Sequence, residues 1–252
     1  MLDQIPQSKL HEALPLDPIV HAYACVGLAE RPQNMATIWR AEGGQVEGAL
    51  IDCEWSSYQL LATTRTALNG LLECLPSAGS AGWRISFPEW AMREVAARFP
   101  RSEHSYEVLH LCTPEHYRPP RASGVGVVRL TPLLVEQFAF DLEIVKTLSG
   151  ISAQQCRRPL YGALCDRQLV CIADGSAMTA QVAIVQQVYT VPAYRRRGLA
   201  RAVVARLTEE ILALGRMAVY CADYFNYGSL ALCRALGYQP IAVFGWAEYE
   251  QG

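Results

Sequence analysis

The chain has 252 residues, of which 51% are hydrophobic and 18% charged, with a formal net charge of −2 at pH 7 and a mean hydropathy of +0.09. That composition supports a packed core and excludes disorder over most of the length. The near-neutral charge excludes a global basic field for nucleic acid or an anionic membrane.

No apolar run reaches the ~18 residues that a spanning helix needs. The first fifteen residues, MLDQIPQSKLHEALP, lack a basic-then-apolar leader pattern, so a cytoplasmic protein is expected. Nine cysteines are present, with no C-x-x-C spacing and no histidine at zinc-ligand spacing from a cysteine pair. Most sit in apolar stretches, such as Cys171 in LVCIAD and Cys221 in AVYCAD. Reduced, buried thiols are expected, without disulfides and without a metal. All five histidines precede residue 117, so the C-terminal half offers no catalytic histidine. Among the 22 basic residues only Lys9 and Lys146 are lysine.

Taken in chain order, HAYACVGLAE (21–30), MATIWRAE and VEGALIDC read as strands, with Gly43-Gly44 as a hairpin turn. Residues 64–75 form an amphipathic helix that Pro76 ends. A short strand covers 83–87, a second helix 89–99 with Pro88 at its first turn, and a strand 105–112. No chemical constellation stands out here, and His104 and His110 read as surface or core residues. TPEHYRPPRASG (113–124) breaks the pattern, because Pro119-Pro120 fits neither helix interior nor central strand. The expected organisation is an N-terminal α/β domain over 1–118, a linker over 119–124 and a second domain of similar size over 125–252.

In that second domain 125–132 is a strand. LLVEQFAFDLEIVKTL is helical and stops at Gly150. LYGALCD and QLVCIAD are strands joined by a turn at Asp166-Arg167, and 182–191 is a long apolar strand that Pro192 stops. A helix follows with Leu199, Val203, Val204, Leu207, Ile211 and Leu212 on one face and Gly215 at its end. RMAVYCAD is a strand, SLALCRALG a short helix closed by Gly237, and YQPIAVFGWAEY the last strand or pair of strands.

Arg195-Arg196-Arg197-Gly198-Leu199-Ala200 joins the strand ending near Val191 to the long helix. A helix start offers unpaired N–H groups and about half a positive charge. Gly198 lets a ligand approach the backbone, and Ala200 keeps the next turn small. With three arginines these features make a cradle for a diphosphate. Without G-x-x-x-x-G-K and a following Ser or Thr, a Walker loop with magnesium is not indicated. Taken alone, the arginines read as an ordinary solvated helix start. Trp246 and Tyr238 read as core or sheet-face residues.

R-x-x-G-x-A after a strand ending V-x-P resembles the acyl-CoA signature of the GNAT superfamily of N-acetyltransferases. Asn226, Ser229, Gly237 and Tyr238 resemble a second element of that family. The resemblance covers about 125–249. It implies an acyl-CoA N-acyltransferase fold: α/β, with a mixed, mostly antiparallel sheet and flanking helices. It implies acetyl-CoA as co-substrate, without a metal, and direct acetyl transfer in a ternary complex to the amine of a small molecule or peptide. Tyr189, Thr190 and Val191 would pair with the pantetheine arm, and Arg195, Arg196, Arg197, Gly198, Leu199 and Ala200 would hold the diphosphate. Asn226 and Ser229 would flank the arm. The thioester would lie where strands 182–191 and 216–223 splay.

Two departures bear on catalysis. Cys233 stands where many relatives place a tyrosine that protonates the leaving thiolate, and it is either that acid or structural. The strand before the cradle offers Gln186 and Gln187 where many relatives carry a glutamate base. Asp223 is the nearest carboxylate by sequence, and Tyr189 and Tyr224 are further polar candidates. An alkyl ammonium of pKa ~10.4 needs roughly 4–5 kcal/mol to present its free amine at neutral pH, so a missing base weighs most against a lysine-like acceptor. The alternative to an enzyme is a non-catalytic acyl-CoA-binding or interaction module. The N-terminal half, whose order of elements is similar, reads as a degenerate copy of the same fold. It has no counterpart of the 195–200 turn, so it is expected to bind no CoA and to form one wall of the acceptor site.

Overall fold

Period-two patterning becomes strand wherever one face finds something to bury against. The structure is a computed structural model and describes residues 1–54, 57–75, 82–121, 124–131, 133–134 and 159–249. In chain order its first elements are β1 (Leu2–Pro6), α1 (Leu10–Ala13), α2 (Ala22–Glu30), β2 (Met35–Arg40), β3 (Val46–Glu54), β4 (Ser57–Ala62), α3 (Arg65–Leu72), β5 (Trp83–Pro88), α4 (Met92–Arg98) and β6 (Glu103–Cys112). They are followed by β7 (Val127–Arg129), β8 (Leu160–Cys165), β9 (Gln168–Met178), β10 (Val182–Thr190), α5 (Leu199–Ala213), β11 (Met217–Asp223), α6 (Tyr227–Leu236) and β12 (Gln239–Tyr249). The helix expected over 133–148 and its stop at Gly150 lie almost wholly outside the described residues; only Leu133 and Leu134 are seen, and they are helical.

The chain divides into two units. Unit 1 comprises Met1–Leu109, Asp223–Phe225 and Ile241–Gly252; unit 2 comprises His110–Ala222 and Asn226–Pro240. This differs from the expected division at 118–125. The first unit ends before the proline-rich stretch, and the last strand of the chain belongs largely to unit 1.

In unit 1 the strand order is β1-β2-β3-β4-β5-β12-β6. β1 to β4 are antiparallel, β4 and β5 are parallel, and β12 runs antiparallel to β5 with Phe244 opposite Pro88 and Tyr249 opposite Trp83. α3 starts at Thr64, whose Oγ1 accepts the Ala67 N–H at 3.2 Å, and it buries Ala67, Leu68, Leu71 and Leu72. Those residues pack with Leu60, Ile85, Phe87 and Val95. A second cluster joins Leu10, Leu14 and Ala24 to Ile38, Ala49 and Ile51.

Stretch 21–30, expected as a strand, is helix α2. Asp17 Oδ1 accepts the N–H groups of Ile19 and Val20 at 2.8 Å, and His21 N–H bonds Asp17 O at 2.9 Å, which sets a turn just before the helix. The small residues Ala22, Ala24 and Gly27 form the buried side with Val26. Gly27 lies so close to Cys53 of β3 that an added Cβ would stand 3.1 Å from its Sγ. Alternating apolar residues of a short helix with small side chains imitate strand alternation. Strands β1 and β4 and helix α1 had no signal in the sequence analysis.

In unit 2 the order is β11-β10-β9-β8-β7, antiparallel except for the parallel pair β10 and β11. α5 lays Leu199, Val203, Val204, Leu207 and Ile211 on Leu160, Leu169, Ile172 and Val185. Each such buried side chain stabilises by ~1.5–3 kcal/mol relative to exposure. Asp166 and Arg167 both have positive φ (50° and 65°), the geometry of a two-residue hairpin turn.

Residues 113–118, expected to lead into a linker, are instead part of unit 2. Arg118 N–H bonds Leu236 O at 3.0 Å, and Tyr117 donates its hydroxyl to Glu209 Oε1 at 3.0 Å. This segment crosses the end of α6 at Gly237, whose φ of 88° and close approach to the His116 carbonyl leave no room for a Cβ. The sheet arrangement is mixed and mostly antiparallel with flanking helices, as the family resemblance implied.

Candidate functional site

The site grows from an interruption in β10. Its parallel pairing with β11 runs from Val182 opposite Met217 to Val185 opposite Tyr220 and then stops. The interruption coincides with a bulge between Gln186 and Tyr189, where Gln187 takes φ 52°. Beyond it β10 keeps its bonds to β9, with Tyr189 opposite Ile172 and Thr190 opposite Cys171, while its other edge has left β11. An unpaired strand edge is a template for an extended ligand.

A 3-10 turn at Pro192–Tyr194 then carries the chain toward α5. Arg196 (φ 62°) and Gly198 (φ 79°) both adopt left-handed conformations, and Gly198 is the N-cap of α5. No side chain caps this helix, and its first backbone bond runs from Ala202 N–H to Gly198 O at 3.0 Å. The N–H groups of Leu199, Ala200 and Arg201 are therefore unused by the helix. A Cβ built on Gly198 would meet nothing within 4 Å. The glycine faces open space that an approaching molecule can enter.

These parts enclose a cavity of about 430 Å³ in unit 2. β10 contributes Val188, Tyr189 and Thr190 to its wall. The turn and helix start contribute Tyr194, Arg195, Arg196, Gly198, Leu199, Ala200 and Arg201. The far side is α6, through Asn226, Gly228, Ser229 and Leu232. Asn226 caps α6 by accepting the Ser229 N–H on Oδ1 at 3.1 Å, which fixes both residues.

Nine of the eleven expected binding residues thus meet on one cavity: Tyr189, Thr190, Arg195, Arg196, Gly198, Leu199, Ala200, Asn226 and Ser229. Two do not reach its wall. Val191 is buried, and its N–H bonds Val170 O at 2.9 Å. Arg197 turns back to the Ala193 carbonyl at 3.1 Å and lies over the Tyr194 ring at 4.9 Å. Val188, Tyr194, Arg201, Gly228 and Leu232 were not anticipated. Leu232 stands one helical turn after Gly228 and Ser229, so helical spacing from Asn226 would have found it.

The expected acid, Cys233, is not brought to the cavity. It is fully buried in the core of unit 2, and burial pushes its thiol up to about 12. Asp223 does not line the cavity either; its Oδ1 accepts the Phe225 N–H at 2.8 Å and stiffens the turn after β11. No Asp, Glu or His stands among the described residues of the cavity wall. Ser229 does, and its Oγ lies 3.5 Å from the hydroxyl of Tyr220, whose phenol burial pushes up to about 12. Among the described residues no group of three or more His, Cys, Asp or Glu is placed to hold a metal, and eight cysteines are unpaired. No helix among them is long and apolar enough to cross a membrane.

Residues 161–245 match the family model described as GNAT acetyltransferase. None of the curated proteins matches the sequence. A Drosophila protein of known structure is similar at 14% identity and TM-score 0.70, over 98% of both chains. A GCN5-related N-acetyltransferase-like protein from Streptococcus suis is similar at 17% identity and TM-score 0.65, over 97% of this chain and 98% of that one. A tandem GNAT protein from the clavulanic acid biosynthesis pathway is similar at 15% identity and TM-score 0.57, over 100% of this chain and 99% of that one. Residues 161–245 are thus similar to GNAT acetyltransferases, and the whole chain shares the fold of these solved structures.

Proposed function

We propose that the protein is an acetyl-CoA-dependent N-acetyltransferase that moves an acetyl group directly to the amine of a small molecule or peptide. The observation that carries this reading is the uncapped, glycine-headed start of α5 opening into a cavity beside the freed edge of β10. The residues present fit such a co-substrate. Three free N–H groups and the helix dipole suit a diphosphate. The exposed edge at Val188–Thr190 suits an amide-bearing arm, and Val188 and Leu232 give that arm an apolar lining.

The thioester supplies an activated acetyl group; the chain supplies position. Gly198, Leu199, Ala200 and Arg201 fix the anionic end, and β10 aligns the arm toward the point where Val185 and Tyr220 end the strand pairing. Holding two reactants together in this way is worth up to ~7–11 kcal/mol of barrier. The Ser229 hydroxyl, in reach of Tyr220, is a cavity-wall group that can relay the proton leaving the attacking amine to the departing sulfur. An acceptor of low amine pKa suits a wall whose described residues include no carboxylate better than a lysine-like one.

Unit 1 contains the same strand–helix–strand step, β4-α3-β5, but its helix start is differently equipped. Thr64 caps α3 with its own side chain and donates its hydroxyl to the Glu47 carboxylate at 3.0 Å. A capped terminus beside a carboxylate disfavours a phosphate, so this reading assigns CoA to unit 2 alone.

Calorimetric titration of the full chain with CoA, followed by thiol release from acetyl-CoA over a panel of amines, tests the proposal. Tight binding with turnover on some amine is expected; absence of CoA binding refutes it. That no Asp, Glu or His stands among the described residues of the cavity wall favours a second reading, a non-catalytic acyl-CoA-binding module. Tight binding with no turnover across the panel would select it.

A further inference from the structure

Four arginines surround the start of α5, and the structure sorts them into two pairs. Arg195 donates its Nε–H to the Thr190 carbonyl at 2.9 Å and lies over the Tyr189 ring at 6.0 Å. Arg197 is tied to Ala193 O and Tyr194. Both are engaged in shaping the turn. Arg196 and Arg201 line the cavity, are exposed, and have no hydrogen bond, ion pair or ring contact among the described residues.

Two unpaired cations in this place run against helix electrostatics. The first turn of a helix favours acidic side chains, because the dipole makes that end positive. α5 has no acidic residue in its first turn and carries Arg201 there instead. The arrangement is unfavourable in the free protein, and a bound anion relieves it. The diphosphate already has the backbone donors and the dipole, so the two free guanidinium groups are available to a further negative group.

We propose that Arg196 and Arg201 form a specificity site for the 3′-phosphomonoester on the ribose of CoA, so that the protein discriminates CoA from 3′-dephospho-CoA. The inference rests on reading the cavity as the acyl-CoA site. Along the cavity Leu199 is buried and Tyr189 and Thr190 are half-buried, whereas Arg196 and Arg201 are exposed beside the helix start, as Gly198 and Asn226 also are. The ribose phosphate sits at the end of CoA farthest from the thiol, and that end belongs on this exposed side. A phosphomonoester carries about −1.5 to −2 charge at neutral pH and presents three acceptor oxygens. Guanidinium forks match it in pairs, which a diphosphate lying on backbone N–H groups does not require.

The test is parallel calorimetric titration of the full chain with CoA and with 3′-dephospho-CoA, at low and at moderate salt. Wild type is expected to bind CoA about tenfold or more tighter than the dephospho form, with the ratio falling as salt rises. Arg196→Gln and Arg201→Gln each reduce the ratio, and the double variant brings it close to one by weakening CoA more than dephospho-CoA. Both arginines are exposed, and unchanged thermal unfolding of the variants confirms that they fold. Equal wild-type affinity for the two ligands overturns the inference, as does a double variant that weakens both ligands alike. A wild-type chain that binds neither overturns the acyl-CoA reading itself. Binding of both ligands that Gly198→Glu abolishes, at a ratio of one throughout, leaves that reading standing without this inference.

Discussion

Replacing Gly198 separates the backbone cost of the cradle from its ligand-facing role. Gly198 holds φ 79° at the start of α5, and its missing Cβ points into open space. Alanine there meets no protein atom, so the only folding cost is the left-handed conformation, ~1–2 kcal/mol. For a chain of this length that lowers the unfolding temperature by roughly 2–8 °C. Glutamate carries the same conformational cost and adds a charge. At ~5 Å from a diphosphate each pair of like charges costs about 1–3 kcal/mol for effective dielectrics between those of water and protein surface. The two variants are therefore expected to melt alike and to bind differently. CoA affinity should fall about tenfold for Gly198→Ala, and at least about a hundredfold for Gly198→Glu. Calorimetry of binding and of unfolding on the same preparations reads both quantities. CoA affinity retained in Gly198→Glu at the wild-type level would refute the placement of the anion at this helix start.

Three further outcomes follow from the core. Thr208 and Tyr238, both buried, share a hydrogen bond of 2.7 Å, and Thr208 also donates to Val204 O; Tyr238→Phe should cost about 1 kcal/mol, whereas Thr208→Val strands a buried phenol and should cost about 1–3 kcal/mol by denaturant unfolding. Tyr161 and Tyr220 are pushed up to about 12, chiefly by burial. An unfolded tyrosine ionises near ~10, so between there and 12 the folded chain binds more protons and stability drops as pH rises. The contribution is fully present below pH ~10, and Tyr220→Phe should flatten the decline measured by unfolding at stepped alkaline pH. Thiol labelling of the native protein should modify exposed Cys74 early and spare Cys233, which mass spectrometry of the digested chain can read; early labelling of Cys233 would place it outside the core.

Much of unit 2 is written locally. The strand ending at Thr190, the run Arg195 to Ala200 and the apolar face of α5 lie within one short stretch of chain, and so does the Asn226 cap of α6. Sequence spacing alone therefore assembles most of the cavity wall. What failed was whatever depends on distant chain. Alternation in β12 says that Ala247 and Trp246 face opposite ways, but nothing in it says that β5 is the partner. The prolines at 119 and 120 are real breaks. The residues just before them nevertheless pack on unit 2 through Tyr117 and Arg118, contacts no local pattern encodes. Cys233 sits three residues before Leu236, on the buried side of α6, while Ser229 and Leu232 take the cavity side. A residue count from Asn226 locates the position and leaves its direction open. The two tied arginines look identical in sequence to the two free ones, because the carbonyls of Thr190 and Ala193 become acceptors only once the turn has formed.

The place of β12 has a consequence for how the molecule is made. β12 lies between β5 and β6 in the sheet of unit 1, so that sheet lacks an inner strand until residues 239–249 have been made. Unit 2 is encoded almost wholly ahead of that strand and can gather its core while still tethered to the ribosome. The N-terminal half, although emerging first, must wait with a gap in its sheet. Removing a dozen residues from the C-terminus should therefore damage the beginning of the protein more than its end, and a split near residue 120 should yield an N-terminal fragment that stays unsettled until the missing strand is supplied as a peptide.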